Sequence, residues 1–131
     1  MAEFLITNAV CLNLDVNAKD IFGKTAFHWS CINGHSEIAD LLMKNSIFLN
    51  IDLNAKDIFD ITAFHLACKY GHSKIVDMFM KNSADLNIDL NANASFSNYG
   101  STAFHLACSM GQHEIVEKLM KNSADLKINL N

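Results

Sequence analysis

One stretch, met three times, restricts the folds open to this chain more than any other feature. It runs Thr25-Ala-Phe-His-Trp-Ser-Cys-Ile-Asn-Gly34, then His35-Ser-Glu-Ile-Ala-Asp-Leu-Leu-Met-Lys-Asn45. It returns as Thr62-Ala-Phe-His-Leu-Ala-Cys-Lys-Tyr-Gly71 with His72-Ser-Lys-Ile-Val-Asp-Met-Phe-Met-Lys-Asn82, and as Thr102-Ala-Phe-His-Leu-Ala-Cys-Ser-Met-Gly111 with Gln112-His-Glu-Ile-Val-Glu-Lys-Leu-Met-Lys-Asn122. The threonines stand 37 and then 40 residues apart. Self-similarity at this period marks stacked supersecondary units, none of which can bury its apolar face alone. The opening falls into register at an offset of 37: Ala2-Glu-Phe-Leu-Ile-Thr-Asn8 matches Ala39-Asp-Leu-Leu-Met-Lys-Asn45, and Asp15-Val-Asn-Ala-Lys-Asp20 matches Asp52-Leu-Asn-Ala-Lys-Asp57. The expected organisation is a single domain, 1–131, with a partial repeat over 1–20 and helix-pair repeats at 25–49, 62–86 and 102–126. Such a chain begins partway through a second helix and ends just past a third complete pair, as a slice of an array or a short array with atypical ends.

Within a unit, Thr62 is placed to cap a first helix by accepting from its free amide groups. Phe64, Ala67 and Cys68 fall at i, i+3 and i+4 and give that helix one apolar face. Gly71 ends it, as glycine does where the chain turns left-handed. Ser73 is the expected cap of a second helix, in which Ile75, Val76, Phe79 and Met80 line one side. Asp77 and Lys81 sit on its solvated side in the acid-then-base order that favours pairing, and Asn82 and Ser83 close it. Helices this short are marginal alone, so their apolar faces must be buried against the next unit. That requirement builds a solenoid. Between helix pairs, Ala84-Asp-Leu-Asn-Ile-Asp-Leu-Asn-Ala92 alternates apolar and polar residues, which predicts an extended, partly hairpin-like connector with Leu86, Ile88 and Leu90 along one side. The less regular Ala94-Ser-Phe-Ser-Asn-Tyr-Gly100 holds the three extra residues of the longer period.

These residues resemble the ankyrin repeat. The family core Thr-Pro-Leu-His-x-Ala-x-x-x-Gly-His is similar to Thr62-Ala-Phe-His-Leu-Ala-Cys-Lys-Tyr-Gly-His72, and Glu-Ile-Val stands at Glu114-Ile-Val116. The family ending Gly-Ala-Asp-Val-Asn-Ala is met in two pieces, Ser83-Ala-Asp-Leu-Asn87 and Asp89-Leu-Asn-Ala92. The likeness covers nearly the whole chain. It implies an all-α fold, an ankyrin-repeat solenoid of antiparallel helix pairs joined by extended hairpin-like connectors. There are three departures. Ala26, Ala63 and Ala103 replace the usual proline at the first helical position, trading some rigidity for a good helix former. The 37-residue period exceeds the family's roughly 33 residues by four, most simply as an inserted Asn-Ile-Asp-Leu. Finally, Gln112 stands where His35 and His72 stand, with His113 displaced by one.

Bulk properties exclude several functions. No apolar run approaches the roughly 18 residues of a membrane span, and the N-terminus lacks a basic region before its apolar residues, so no signal peptide or membrane insertion is expected. The net charge is −4 and all ten basic residues are lysines, interspersed with acids. Without arginine the chain lacks the fork that reads guanine edges and phosphates, which argues against nucleic acid. Cys31, Cys68 and Cys108 occupy one repeat position. Stacked units hold equivalent residues too far apart for a bond that needs Cα atoms within about 7 Å. They are read as reduced core residues, in keeping with a cytoplasmic or nuclear setting.

The pairs His28/Cys31, His65/Cys68 and His105/Cys108 are neighbours on a helix, but each offers only two ligands for a metal that asks for three or four. The resemblance implies instead that the histidine bonds near the helix start and ties adjacent connectors together. A packed cysteine has neither the lowered thiol pKa nor the access of a nucleophile. Phosphate loops, His-Glu-x-x-His and Gly-x-Ser-x-Gly are all missing from the sequence. Hence no enzyme, metal or cofactor is expected. Connector residues Asn17, Asn54 and Asn91 resemble asparagines that some ankyrin proteins present to an asparaginyl hydroxylase. With the spacing altered by the insertion, their favoured role is turn stabilisation through bonds to the backbone.

What remains is the set of turn tips and helix exits that ankyrin domains usually bind with. These are Ile21, Phe22, Lys24, Ile32 and Asn33 in the first repeat. The second offers Ile58, Phe59, Ile61, Lys69 and Tyr70, and the third Asn98, Tyr99, Ser101, Ser109 and Met110. Tips are normally polar, whereas aromatic and Met enrichment is typical of an interface core. The competing account has Phe22, Phe59 and Tyr99 packing on each other or on the connector as a satellite core. The reading is a protein–protein interaction module that binds a partner protein on a concave face of tips and first helices. The alternative is a structural segment of a longer array that self-associates end to end, its C-terminal end exposing Ile115, Val116, Leu119 and Met120.

Overall fold

The computed structural model describes residues 14–95 and 100–131. Each repeat contributes an inner and an outer helix. The inner helices are α1 (Ala26–Ile32), α3 (Ala63–Lys69) and α5 (Ala103–Ser109), and the outer ones α2 (Ser36–Lys44), α4 (Ser73–Asn82) and α6 (His113–Leu126). Inner helices stack on inner and outer on outer, giving an all-α solenoid with no named strand among the described residues.

Each inner helix starts at its threonine through a reciprocal cap. The Thr25 hydroxyl accepts from the His28 amide while the Thr25 amide donates to His28 Nδ1, at 3.3 and 3.1 Å. Thr62 with His65 and Thr102 with His105 repeat it. Histidine thus fills the role that Glu or Gln plays in the usual capping box. The helices end before a left-handed glycine, and Gly34 shows why: at φ +70° a Cβ there would lie 2.6 Å from the His72 ring. That ring donates from Nε2 to Ile32 O at 2.9 Å, so the glycine leaves room for a bond between repeats.

The outer helices correct one expectation. Ser73 is not the cap but the first helical residue. His72 holds the cap position without a side-chain bond there, because its ring is committed to the preceding repeat. Gln112 does the same from the third repeat, donating to Lys69 O at 2.9 Å. A second correction concerns Asp77, which pairs across helices with Lys118 at 2.9 Å rather than with Lys81. Asp40–Lys44 and Glu117–Lys121 do pair within their helices.

The core lies between the two helix layers and under the connectors. Phe79 from α4 sits among the inner-helix rings, 5.6 Å from Phe27 and 5.1 Å from Phe64, with Met43, Ile75, Val76, Cys31 and Cys68 fully buried around it. Cys108 corrects the view that all three equivalent cysteines are core: it is exposed, since no further helix pair of the described chain covers α5. At α6, Ile115 and Leu119 are buried in the common core, Val116 is packed at its edge and only Met120 is exposed. The C-terminal outer helix therefore shows a much smaller apolar face than expected.

The connectors bury Ile88 and Leu90 and half-bury Leu86, but they are not strands. Apart from one isolated bridge, Ala94 with Ser101, they are built of turns. The inserted residues form a left-handed turn at Asn50, Asn87 and Lys127 (φ 53°, 54° and 55°). Beyond it, Asn54 Nδ2 donates to Asn87 O at 2.9 Å while its Oδ1 accepts from the Asp89 amide at 2.8 Å. Asn17 bridges in the same way to Asn50 and Asp52, and Asn91 to Lys127 and Asn129. These asparagines bond to backbone, as expected, but to that of the following repeat rather than of their own turn.

Candidate interaction surface

The residues before each capping threonine form a tight tip organised by an acid. Asp20 Oδ1 accepts from the Phe22 and Lys24 amides, both at 2.9 Å, and the Asp20 amide donates to Lys24 O at 2.9 Å. Asp57 does the same for Phe59 and Ile61, at 2.8 and 2.9 Å. With the turn's polar groups thus occupied, the two residues between are thrust outward. Ile21 is 88% exposed and Phe22 50%; Ile58 is 58% exposed and Phe59 46%. Successive tips are joined: the Ile58 amide donates to Phe22 O at 3.1 Å and the Ser95 amide to Phe59 O at 2.9 Å. The first two tips and Ser95 therefore form one continuous edge.

Two acids the sequence reading passed over fix this edge. The Asp57 side chain is fully enclosed and meets Lys24 Nζ at 2.8 Å. Burial is the largest single influence on its carboxyl and acts upward. Lys24 and the Ile61 and Phe59 amides together outweigh it and hold the carboxyl below the usual carboxylate range. Asp20 is held low by the Lys24 amide first, with help from Trp29, whose Nε1 donates to Asp20 Oδ2 at 2.9 Å. Trp29, 44% exposed, was also missed. It stands where the other repeats place Leu66 and Leu106, and it is the chain's single tryptophan. The signal for the acids was the recurring Asp-Ile-Phe of Asp20 and Asp57, since aspartate commonly opens a turn by bonding its own backbone two residues on.

The expected residues that the structure describes divide into three groups. Ile61, Lys69, Ser109 and Met110 come together with Leu106 around an apolar pocket of about 230 Å³ between α3 and α5. Ile21, Phe22, Ile58, Phe59, Asn33 and Tyr70 are exposed along the tips and helix exits. Lys24, Ile32 and Ser101 are instead half-buried and engaged in the scaffold: Lys24 with Asp57, Ile32 through its carbonyl to His72, and Ser101 through its carbonyl to His65 at 3.1 Å. Asn98 and Tyr99 lie outside the described residues. Both ring nitrogens of His28 and of His65 are taken by hydrogen bonds. No group of three or more His, Cys, Asp or Glu among the described residues could hold a metal ion. No described helix is long and apolar enough to cross a membrane.

A stack of helix pairs, inner on inner and outer on outer, with successive tips joined by backbone bonds, defines a helical repeat solenoid. The family model for ankyrin repeats (3 copies) matches residues 1–92 and 47–130, and the chain belongs to this family. Ankyrin repeats generally serve as protein–protein interaction modules and are typically not enzymes. A search of curated proteins finds no match.

Proposed function

We propose that this chain captures a protein partner along the edge formed by the tips and the inner helices. The observation that carries the reading is the outward row of Ile21, Phe22, Trp29, Ile58 and Phe59, held by turns whose polar groups are already bonded. Such a surface is rigid before it binds, which lowers the ordering cost of association. Buried free thiols at Cys31 and Cys68 support a reducing compartment, cytoplasm or nucleus. A pull-down with the whole chain identifies the partner. Replacing Phe22, Phe59 and Tyr99 by serine then abolishes capture with the helical circular dichroism intact. A collapse of the helical signal would place those rings in the core and remove the reading.

A second reading, end-to-end self-association, has its own observation. His28 and His65 send Nε2 to a carbonyl of the next repeat, whereas the exposed His105 has no such partner among the described residues. Light scattering that gives a mass rising with concentration supports it, and a concentration-independent monomer removes it.

A further inference from the structure

The pocket between α3 and α5 has a one-sided chemistry. Ile61, Leu106 and Met110 supply aliphatic and thioether walls, and Lys69 stands at its rim. The Lys69 ammonium lies 5.3 Å from the Tyr70 ring centroid, which holds it beside the pocket. Among the described residues it makes no ion pair, while Lys24, Lys44, Lys118 and Lys121 each have a carboxylate. The inner helices carry no acid. The three inner helices read AFHWSCI, AFHLACK and AFHLACS, so Lys69 is their one charged residue apart from the histidines. At the tips, Asp20 and Asp57 are already committed to turn amides, to Trp29 and to Lys24, and Asp60, the residue before Ile61, makes no ion pair with Lys69. In a chain of net charge −4 the inner helices thus carry no acid and a single lysine.

We propose that this pocket takes an aliphatic or methionine side chain of the partner, from a segment whose adjoining residue is an Asp or Glu that pairs with Lys69. The proposal rests on the protein-binding reading above and specifies the chemistry of what is bound. The apolar anchor supplies contact area in a desolvated cleft. The carboxylate fixes register and rejects basic competitors. A lone lysine with no arginine beside it is a poor receptor for a polyphosphate backbone, which favours a peptide.

The test uses the full chain against a displayed library of random dodecapeptides, followed by affinity measurements on two enriched peptides. The expected consensus pairs Leu, Ile or Met with a neighbouring acid. Lys69→Glu weakens binding about tenfold, and a peptide with Lys in place of its acid recovers affinity for that variant. Met110→Asp, at an exposed position that leaves the fold intact, abolishes binding. Peptides lost on Met110→Asp but without an acid, or indifferent to Lys69→Glu, overturn this inference and leave the surface reading standing. Peptides that survive both Met110→Asp and Phe22→Ser/Phe59→Ser overturn the surface reading itself, and a library that enriches nothing overturns both.

Discussion

At His28 and His65 each ring nitrogen has a single role. The Thr25 amide donates to His28 Nδ1 at 3.1 Å, so Nδ1 accepts, and Nε2–H donates to Ile61 O at 2.9 Å. His65 repeats this between Thr62 and Ser101. Both rings are therefore fixed as the neutral Nε2–H tautomer, and a second proton would have to sit on Nδ1 facing an amide N–H. Burial, the leading cause, pushes both pKa values below the ordinary histidine value. In the unfolded chain these histidines titrate near pH ~6.5. Below that pH the unfolded state takes up protons that the folded state refuses, so stability present above about pH 6.5 is lost as pH falls. Urea unfolding midpoints should fall steadily from pH 7.5 to pH 5. His28→Gln/His65→Gln should be less stable at pH 7.5 but show a flatter pH dependence. A midpoint indifferent to pH in the parent would mean that the rings titrate alike folded and unfolded. The Thr-x-x-His spacing of this device was legible in the sequence. That the ring ties adjacent connectors together followed from the family resemblance, but the acceptors themselves did not, because Ile61 and Ser101 lie 33 and 36 residues further on and are brought near only by the stack. Asp57 was illegible for a related reason: an acid in a turn tip is ordinarily solvated, and here Lys24 of the preceding repeat covers it.

Among the elements, the inner helices were the most legible, since cap, apolar face and terminal glycine are all local signals. The connectors were the least. Their alternation of apolar and polar residues predicts strand-like extension, and the apolar half of that pattern does point inward at Ile88 and Leu90. The backbone polar groups, however, are met by side-chain amides from the neighbouring repeat and not by a paired strand. Each asparagine uses its carbonyl oxygen and its NH₂ on two groups of the next connector, so the ladder Asn17, Asn54, Asn91 does the work of a sheet edge. Asn54→Ala removes both bonds of one rung and should cost about 1 to 2 kcal/mol. Asn54→Asp keeps the acceptor for the Asp89 amide but turns the donor side into an oxygen facing Asn87 O, and should also destabilise. Chemical denaturation separates the cases: Asp behaving like Asn would mean that water replaces the donor without loss, and the rung would then be packing alone.

For the whole molecule, the same residue in the same local conformation has a different environment according to what stacks beyond it. His28 and His65 are buried while His105 is exposed, and Phe27 and Phe64 are buried while Phe104 is only half so. A single repeat read alone cannot carry this gradient, which is why all three cysteines read as core. In a solenoid each unit contacts only its neighbours, so protection is a property of neighbours. The cysteines make this measurable. Burial pushes the Cys31 thiol up to about 12 and raises that of Cys68 as well, so neither carries thiolate near pH 8, whereas Cys108 is exposed. In a Cys11→Ser background, a disulfide reagent at pH 8 should modify one thiol quickly, and Cys108→Ser should remove that fast phase. The remaining two should react only at the rate at which the stack opens, and together with global unfolding in urea. Two or three fast thiols would mean that the inner helices do not pack as described. Raising the protein concentration adds the last discrimination. A second copy stacked on α5 would cover Cys108 as α3 covers Cys31, so its labelling would slow. A rate that is independent of concentration leaves α5 uncovered and counts against end-to-end association.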